Sequence, residues 1–319
     1  MQFQAVQLEK GRISIRPFSI SSLPENYALI RVLLAGICNT DLELQRGYYG
    51  FSGIPGHEFV GEVVEASNKA LIGKRVVGEI NLACGACTWC TRGLGRHCPT
   101  RTVLGIVNHP GAMAEFLTLP ERNLHVVPDT ISNEVAVFTE PLGAACEILD
   151  QVAIPKGSNV AVLGDGKLGL LIAQVLQISG LNVHQFGRHQ SKLALSAASG
   201  VTTELVRETM PTGEYEWVVD ATGSAAGLQT AVQMTQPRGT VILKSTVHGE
   251  VPLNTAPVIV NEITLVGSRC GRFEPALALL EKSSVLVERM ISARMKLTDA
   301  EQAFAKASER GVLKVLLTA

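Results

Sequence analysis

The segment "VAVLGDGKLG", residues 160–169, restricts the fold of this chain more than any other stretch. It sets Gly164, Gly166 and Gly169 in a G-x-G-x-x-G spacing between an apolar, strand-like run and a helical pattern. In that setting the first glycine permits a tight turn, the second admits a pyrophosphate to the backbone, and the third lets helix pack on strand. The helix N-terminus then faces the phosphates. The flanking texture agrees: "NVAVLG", "KLGLLIAQVLQISG", "NVHQFG", "SKLALSAASG", "YEWVVDAT" and "GTVILKS" alternate strand with helix. Their strands are apolar throughout, as a parallel sheet covered on both faces requires. The half beyond Glu140 therefore reads as a doubly wound α/β domain that binds a dinucleotide.

An acidic residue at the end of the second strand normally takes the adenine-ribose 2′-hydroxyl. Here that strand ends in Gly187, followed by Arg188 and His189. An arginine beside a vacated acidic position suits a 2′-phosphate, through a charge-assisted bond of roughly 1.5 to 3 kcal/mol. NADP(H) is expected over NAD(H), and Gly187→Asp is expected to move the preference toward NAD.

The half before Ile80 has a different texture, with short β-branched runs such as "ALIRVLLAGI" and "EFVGEVVEAS" broken by Pro, Gly and Asn. It reads as mostly β. Next comes "NLACGACTWCTRGLGRHCPT", residues 81–100, with Cys84, Cys87, Cys90 and Cys98. C-x2-C-x2-C-x7-C supplies four thiolates, and a zinc ion held by four cysteines has no open position for water or substrate. The lobe is expected to be structural. A bacterial iron-sulfur run begins alike, but its last gap is three residues rather than seven. Basic residues around the thiolates, Arg92, Arg96, His97 and Arg101, admit a zinc-ribbon nucleic-acid binder as a rival reading. A net charge of -1 and the lack of interleaved aromatics speak against that partner.

At 319 residues, with 46% hydrophobic and 18% charged residues, the chain is long enough for two lobes and too apolar for disorder. Glu9, Lys10, Arg12 and Arg16 interrupt any apolar run at the start, so no export signal is expected. The most apolar segment, Leu168 to Ile178, is too short to cross a bilayer. Seven cysteines, an odd number, favour reduced thiols and metal ligands over disulfides. A cytoplasmic setting without membrane partners is the expectation.

"GICNTD" with Cys38 and "GIPGHEFVGE" with Gly56, His57, Glu58 and Gly61 complete the pattern. In this order, with the cysteine lobe and the glycine loop downstream, the motifs resemble the zinc-containing medium-chain alcohol dehydrogenase family over residues from about 30 to 270. The nearest resemblance in motif is to its polyol and threonine dehydrogenase branch. Ser67 departs from the Gly or Ala usual in the family signature. The resemblance implies a GroES-like, mostly-β catalytic domain over 1–140, a Rossmann domain over 141–268, and a segment 269–319 that returns to the first domain.

It also implies two zinc ions per chain. Cys38 and His57 match ligands of the catalytic ion, and the pair of cysteines and one histidine known for alcohol dehydrogenase is itself a standard catalytic set. For the third ligand Glu140, in "FTEPLGAACEIL", is the first expectation, with Cys146 and Glu58 as alternatives. Glu58 is otherwise an exchangeable ligand or water partner. Asp41 matches the carboxylate that orients the zinc-binding imidazole, and alternatively caps a helix. Thr40 matches the hydroxyl that passes the substrate proton. Glu43 stands where relatives carry a histidine further along that relay, and Arg269 and Lys314 resemble basic positions near the cofactor. Tyr48, Tyr49 and Phe51 are candidate pocket walls. The implied reaction is hydride transfer between NADP(H) and an alcohol or polyol, or the corresponding carbonyl, in a homodimer or homotetramer. The alternative is a catalytically silent, zinc-stabilised dinucleotide-binding scaffold or sensor of the same fold.

Overall fold

In the computed structural model, residues 1–245 and 250–319 are described. They form two compact units, one of residues 1–140, 276–282 and 291–319, the other of residues 141–275 and 283–290. The segment 269–319, a single returning piece in the sequence reading, is thus divided. Its last 29 residues belong to the first unit, while 269–275 and 283–290 belong to the second.

The first unit is built on β1 (Gln2–Glu9), β2 (Arg12–Ser19), β3 (Tyr27–Gly36), α1 (Asn39–Gln45), β4 (Glu58–Glu65) and β5 (Arg75–Gly78). After the cysteine lobe come β6 (Phe116–Pro120) and β7 (Leu124–Val126). β1 pairs antiparallel with β2 along its whole length, and Phe3 packs between Phe18 and Phe116 with ring centroids 5.7 Å from each. The main sheet runs β7-β5-β4-β3 and then continues through two later strands, with β6 pairing antiparallel to the first half of β3 off this path. β3 is the organising strand, and its alternating apolar residues Ala28, Ile30, Val32 and Leu34 are buried.

The second unit begins within α2 (Thr139–Gln151) and continues through β8 (Asn159–Leu163), α3 (Lys167–Ile178), β9 (Asn182–Gly187) and α4 (Gln190–Ala197). β10 (Thr202–Leu205), β11 (Tyr215–Asp220), α5 (Ala225–Met234), β12 (Thr235–Leu243) and β13 (Thr264–Gly267) complete it. All its strand pairs are parallel, in the order β10-β9-β8-β11-β12-β13. This is the doubly wound order, with its switch point between β8 and β11. Ala161, Leu163, Phe186, Val218 and Val241 pack one sheet face on Ala231, Val232 and Met234. α3 buries eight of its twelve residues, which accounts for the continuous apolar run of that helix.

Two late strands, β14 (Ile291–Lys296) and β15 (Lys314–Thr318), with α6 (Ala300–Ser308) between them, return to the first unit. β15 pairs antiparallel with β3, setting Leu316 opposite Gly36, and on the other edge of β3 Gly36 faces Glu58 of β4. Among the described residues no helix is long and apolar enough to cross a membrane.

Candidate functional site

β3 ends at Gly36, and the chain turns through Ile37 and Cys38 into α1, with Cys38 as its N-cap. Asp41 stands at the third helical position. Its Oδ2 accepts the backbone N–H of Cys38 at 2.8 Å, the reach-back typical of a capping carboxylate, while Oδ1 accepts the N–H of Gly56 at 3.1 Å. Asp41 therefore caps the helix and ties it to the loop before His57. Gly56 sits at φ +101°, and a Cβ there would lie 2.7 Å from Met113 Cγ, so a glycine is required at this turn. His57 follows, 3% exposed, with Nδ1 3.5 Å from Asp41 Oδ1. Among the described residues His57 Nδ1 has no hydrogen-bond partner, so the contact is electrostatic.

Cys38, His57 and Glu58 each bring a ligand atom to within 4.8 Å of the other two. His57 Nδ1 and Glu58 Oε1 are buried polar atoms without a hydrogen-bond partner among the described residues. A buried polar atom of this kind calls for an explanation, and beside Cys38 an absent ion or water at Glu58 Oε1 supplies one. Electrostatics point the same way. Burial lowers the affinity of His57 for a proton, yet Asp41 and Cys38 outweigh it and raise its pKa well above the ordinary value. The cluster thus has an unmet demand for positive charge.

Glu58 and Lys314 form a buried ion pair, each side chain 1% exposed, through Oε2 and Nζ. The cause lies in β3. Gly36 has no side chain, and a Cβ there would sit 2.5 Å from Glu58 Oε2 and 3.4 Å from Lys314 Cδ. Lys314 reaches Glu58 across that gap. Burial lowers its pKa, but Glu58, Cys38 and Glu140 raise it above the lysine norm, so it remains an ammonium. Sequence reasoning set Lys314 near a cofactor and did not find this pairing, which spans 256 positions.

The two carboxylates stand differently toward this cluster. Glu140, half-buried at the start of α2, is outside the set of three that converge, whereas Glu58 is inside it. The physical reason is the gap at Gly36, which lets the Glu58 carboxylate lie beside Cys38 and His57. Cys146 is 6% exposed, outside the converging set, and burial, with Asp150, pushes its thiol up to about 12. Thr40 Oγ1 lies 3.8 Å from Cys38 Sγ, at the edge of the cluster. Glu43 instead makes a surface ion pair with Arg46 at 2.6 Å, and Tyr48 and Tyr49 stack on each other at 4.1 Å.

The four-cysteine lobe hangs between two short antiparallel strands, Asn81–Leu82 and Thr102–Val103. Its sulfurs lie 3.5 Å (Cys87–Cys90), 3.8 Å (Cys87–Cys98) and 3.9 Å (Cys84–Cys90) apart. Four sulfurs about 2.3 Å from one ion at tetrahedral angles stand about 3.8 Å apart, so the set fits zinc. The N–H of Cys84, with Thr100, brings Cys98 down to about 6, while burial raises Cys90 to about 11. Arg122 donates to the carbonyl of Ala83 and ties the lobe to the sheet.

In the second unit Gly164 turns at φ +114°, and a Cβ there would lie 2.6 Å from the carbonyl oxygen of Ala221, at the switch point. Gly169 packs against the Gly164 carbonyl. Beside Gly166, the N-cap of α3, there is open space within 4 Å, the cradle a pyrophosphate needs. Arg188 is exposed beyond β9, and Gly187 is buried. Arg269 is exposed beyond β13, with its carbonyl accepting Lys244 Nζ at 2.8 Å.

Comparison with known proteins matches these features. Residues 24–129 match the alcohol dehydrogenase GroES-like domain, and residues 168–282 match the zinc-binding dehydrogenase domain. D-altritol 5-dehydrogenase of Agrobacterium fabrum is 30% identical over 98% of both chains. L-threonine 3-dehydrogenase of Chelativorans sp. is 32% identical over 69% of this chain and 70% of its own. A zinc-binding dehydrogenase from Sinorhizobium meliloti bound to NADP superposes with a TM-score of 0.91 at 28% identity over the whole of both chains. Alcohol dehydrogenase of Thermus sp. does so at 0.90 and 30% over 99% of both. The chain belongs to the zinc-containing medium-chain alcohol dehydrogenase family, in its polyol and threonine dehydrogenase branch, and is an oxidoreductase.

Proposed function

We propose that the chain oxidises a polyol or related secondary alcohol, or reduces the corresponding ketone, with NADP(H) as redox partner and two zinc ions per chain. The convergence of Cys38, His57 and Glu58, with Glu58 Oε1 buried and unpartnered, carries this reading. Cys38, His57 and Glu58 would hold the catalytic ion, and Cys84, Cys87, Cys90 and Cys98 the structural one. When bound, the catalytic zinc supplies Lewis-acid polarisation of the substrate oxygen and the nicotinamide supplies hydride exchange.

The protein's own residues do the rest. Asp41 fixes the orientation of His57 by anchoring both Cys38 and Gly56. Lys314 holds the Glu58 carboxylate in place through their buried ion pair. The Thr40 hydroxyl, beside Cys38, accepts the substrate proton and passes it outward, and Glu140 stands near enough to influence the charge of Lys314. Gly164, Gly166 and Gly169 cradle the pyrophosphate, with Arg188 toward the adenosine end and Arg269 as a further basic contact. The D-altritol, D-arabitol-phosphate and sorbitol dehydrogenases among its relatives support the polyol class, and the NADP-bound relative supports the cofactor.

β13 lies at the sheet edge beside Ile259 and Val260, 72% and 78% exposed, which supports a two-fold pairing of chains. Seven free cysteines suit the reducing cytoplasm. A panel of polyols, simple alcohols and amino-alcohols, run with each nicotinamide cofactor alongside zinc quantification, tests the reading. Two zincs and NADP-linked polyol turnover support it. One zinc per chain in active protein, or turnover with NAD alone, overturns it.

A further inference from the structure

The glycine loop carries one acidic residue, Asp165, between Gly164 and Gly166. Its side chain does not face solvent: it is 8% exposed and reaches across to the end of β9. There Oδ2 accepts the backbone N–H of Arg188 at 2.7 Å, the backbone N–H of His189 at 2.6 Å and the imidazole Nδ1–H of His189 at 2.9 Å. Three donors exceed the two lone pairs of one carboxylate oxygen, which leaves that oxygen no capacity for a ligand. The same side chain fills the space beside Gly187. A Cβ at Gly187 would lie 2.6 Å from Asp165 Cβ, 2.9 Å from its Cγ and 2.8 Å from Leu193 Cδ2.

Asp165 and a carboxylate at the end of β9 therefore exclude one another. In a site that takes a 2′-hydroxyl, the acidic group at that strand end faces the ribose. Here the negative charge comes from the neighbouring loop and is turned toward the backbone. It pins two consecutive N–H groups, and so fixes the direction in which Arg188 leaves the chain. An arginine held at its root loses less freedom on binding an anion than one on a loose turn.

We infer that Asp165 is a positioning residue for dinucleotide selectivity: it presents Arg188 to an adenosine 2′-phosphate and denies space to the carboxylate that would favour a 2′-hydroxyl. The inference rests on the NADP(H) reading above. It also revises the expected outcome at Gly187, since Gly187→Asp alone collides with Asp165 and loses stability without gaining affinity for NADH. Asp165→Gly/Gly187→Asp removes the collision with Asp165 and leaves only the flexible end of Leu193 to give way to the new side chain.

The test is titration of the zinc-loaded enzyme with NADPH, NADH and 2′,5′-ADP in turn, followed by nicotinamide fluorescence or heat. In Asp165→Asn, affinity for NADPH and 2′,5′-ADP falls about tenfold while that for NADH stays within about twofold. KM for NADP rises and kcat at saturation holds. Should that variant fold poorly, His189→Leu removes the imidazole contact and leaves the two backbone contacts, so NADPH weakens in the same direction by a smaller factor, and His189→Asn, whose amide donates in place of Nδ1, restores the selectivity. A wild-type enzyme that binds NADH more tightly than NADPH overturns the cofactor reading and the inference together. A wild type that prefers NADPH, with Asp165→Asn weakening NADH as much as NADPH, overturns the inference alone.

Discussion

Among the described residues two clusters could hold a cation, and they differ in what they leave over. In the lobe around Cys84, every ligand is a sulfur of one kind, and the spacings already match a filled tetrahedron. Around Cys38 the set is mixed, with one thiol, one imidazole and one carboxylate, and the carboxylate shares its charge with a buried lysine. A homogeneous, saturated set braces a loop. A heterogeneous set of three leaves a corner for chemistry, and its members are held by partners drawn from β3, α1, β4 and β15.

Removing a ligand from each cluster separates the two roles most sharply. Cys38→Ser is expected to lower kcat/KM by more than about a hundredfold, beyond what loss of an outer partner of a metal ligand costs. Zinc content falls from two to one while NADPH binding is retained, as steady-state kinetics, elemental analysis and cofactor titration would read. Loss of cofactor binding as well would erase the distinction between a working and a bracing ion.

Cys98→Ser makes the opposite cut. A structural zinc contributes on the order of 10 kcal/mol to ordering its peptide, so residues 81–104 become the first site of proteolysis and Tm falls by about 10 °C or more. Turnover per folded molecule persists. If activity vanished while thermal unfolding stayed put, the lobe would be catalytic and the contrast wrong.

Lys314→Met tests the partner that only the mixed site has. In zinc-free protein it leaves Glu58 charged, buried and alone, at a cost of about 3 to 5 kcal/mol in denaturant unfolding. Adding Glu58→Gln should recover most of that loss, and its failure to do so would show that the two side chains act independently. Gly36→Ala is the mildest change. Its methyl group displaces the Glu58 carboxylate and costs about 1 to 3 kcal/mol of packing strain, with a larger effect on kcat than on Tm. Unchanged kinetics there would mean that the carboxylate is not held where the metal needs it.

Much of this could be read from residue order because the signals are local. The glycine spacing, the alternation of strand and helix, and four cysteines within fifteen positions each report on a single supersecondary unit. Long-range features were less visible. That Lys314 neutralises Glu58 depends on β15 pairing with β3 and on the missing side chain of Gly36, and no motif encodes a pairing across 256 positions. That Glu58 converges with Cys38 and His57 was not legible either, because a carboxylate's reach depends on the room beside it, and that room is made by Gly36 on another strand. Asp165 occupies a variable position of the glycine motif, and its meaning emerges only when the end of β9 is seen against it.

The placement of Lys314 has a consequence for how the molecule is made. The residue that pairs with Glu58 follows it by 256 positions, so a ribosome must have made β15 before that carboxylate can meet its counter-ion. Products truncated before β15 should therefore fail at the site begun by Cys38, because they lack both the strand that pairs with β3 and the ammonium that meets Glu58.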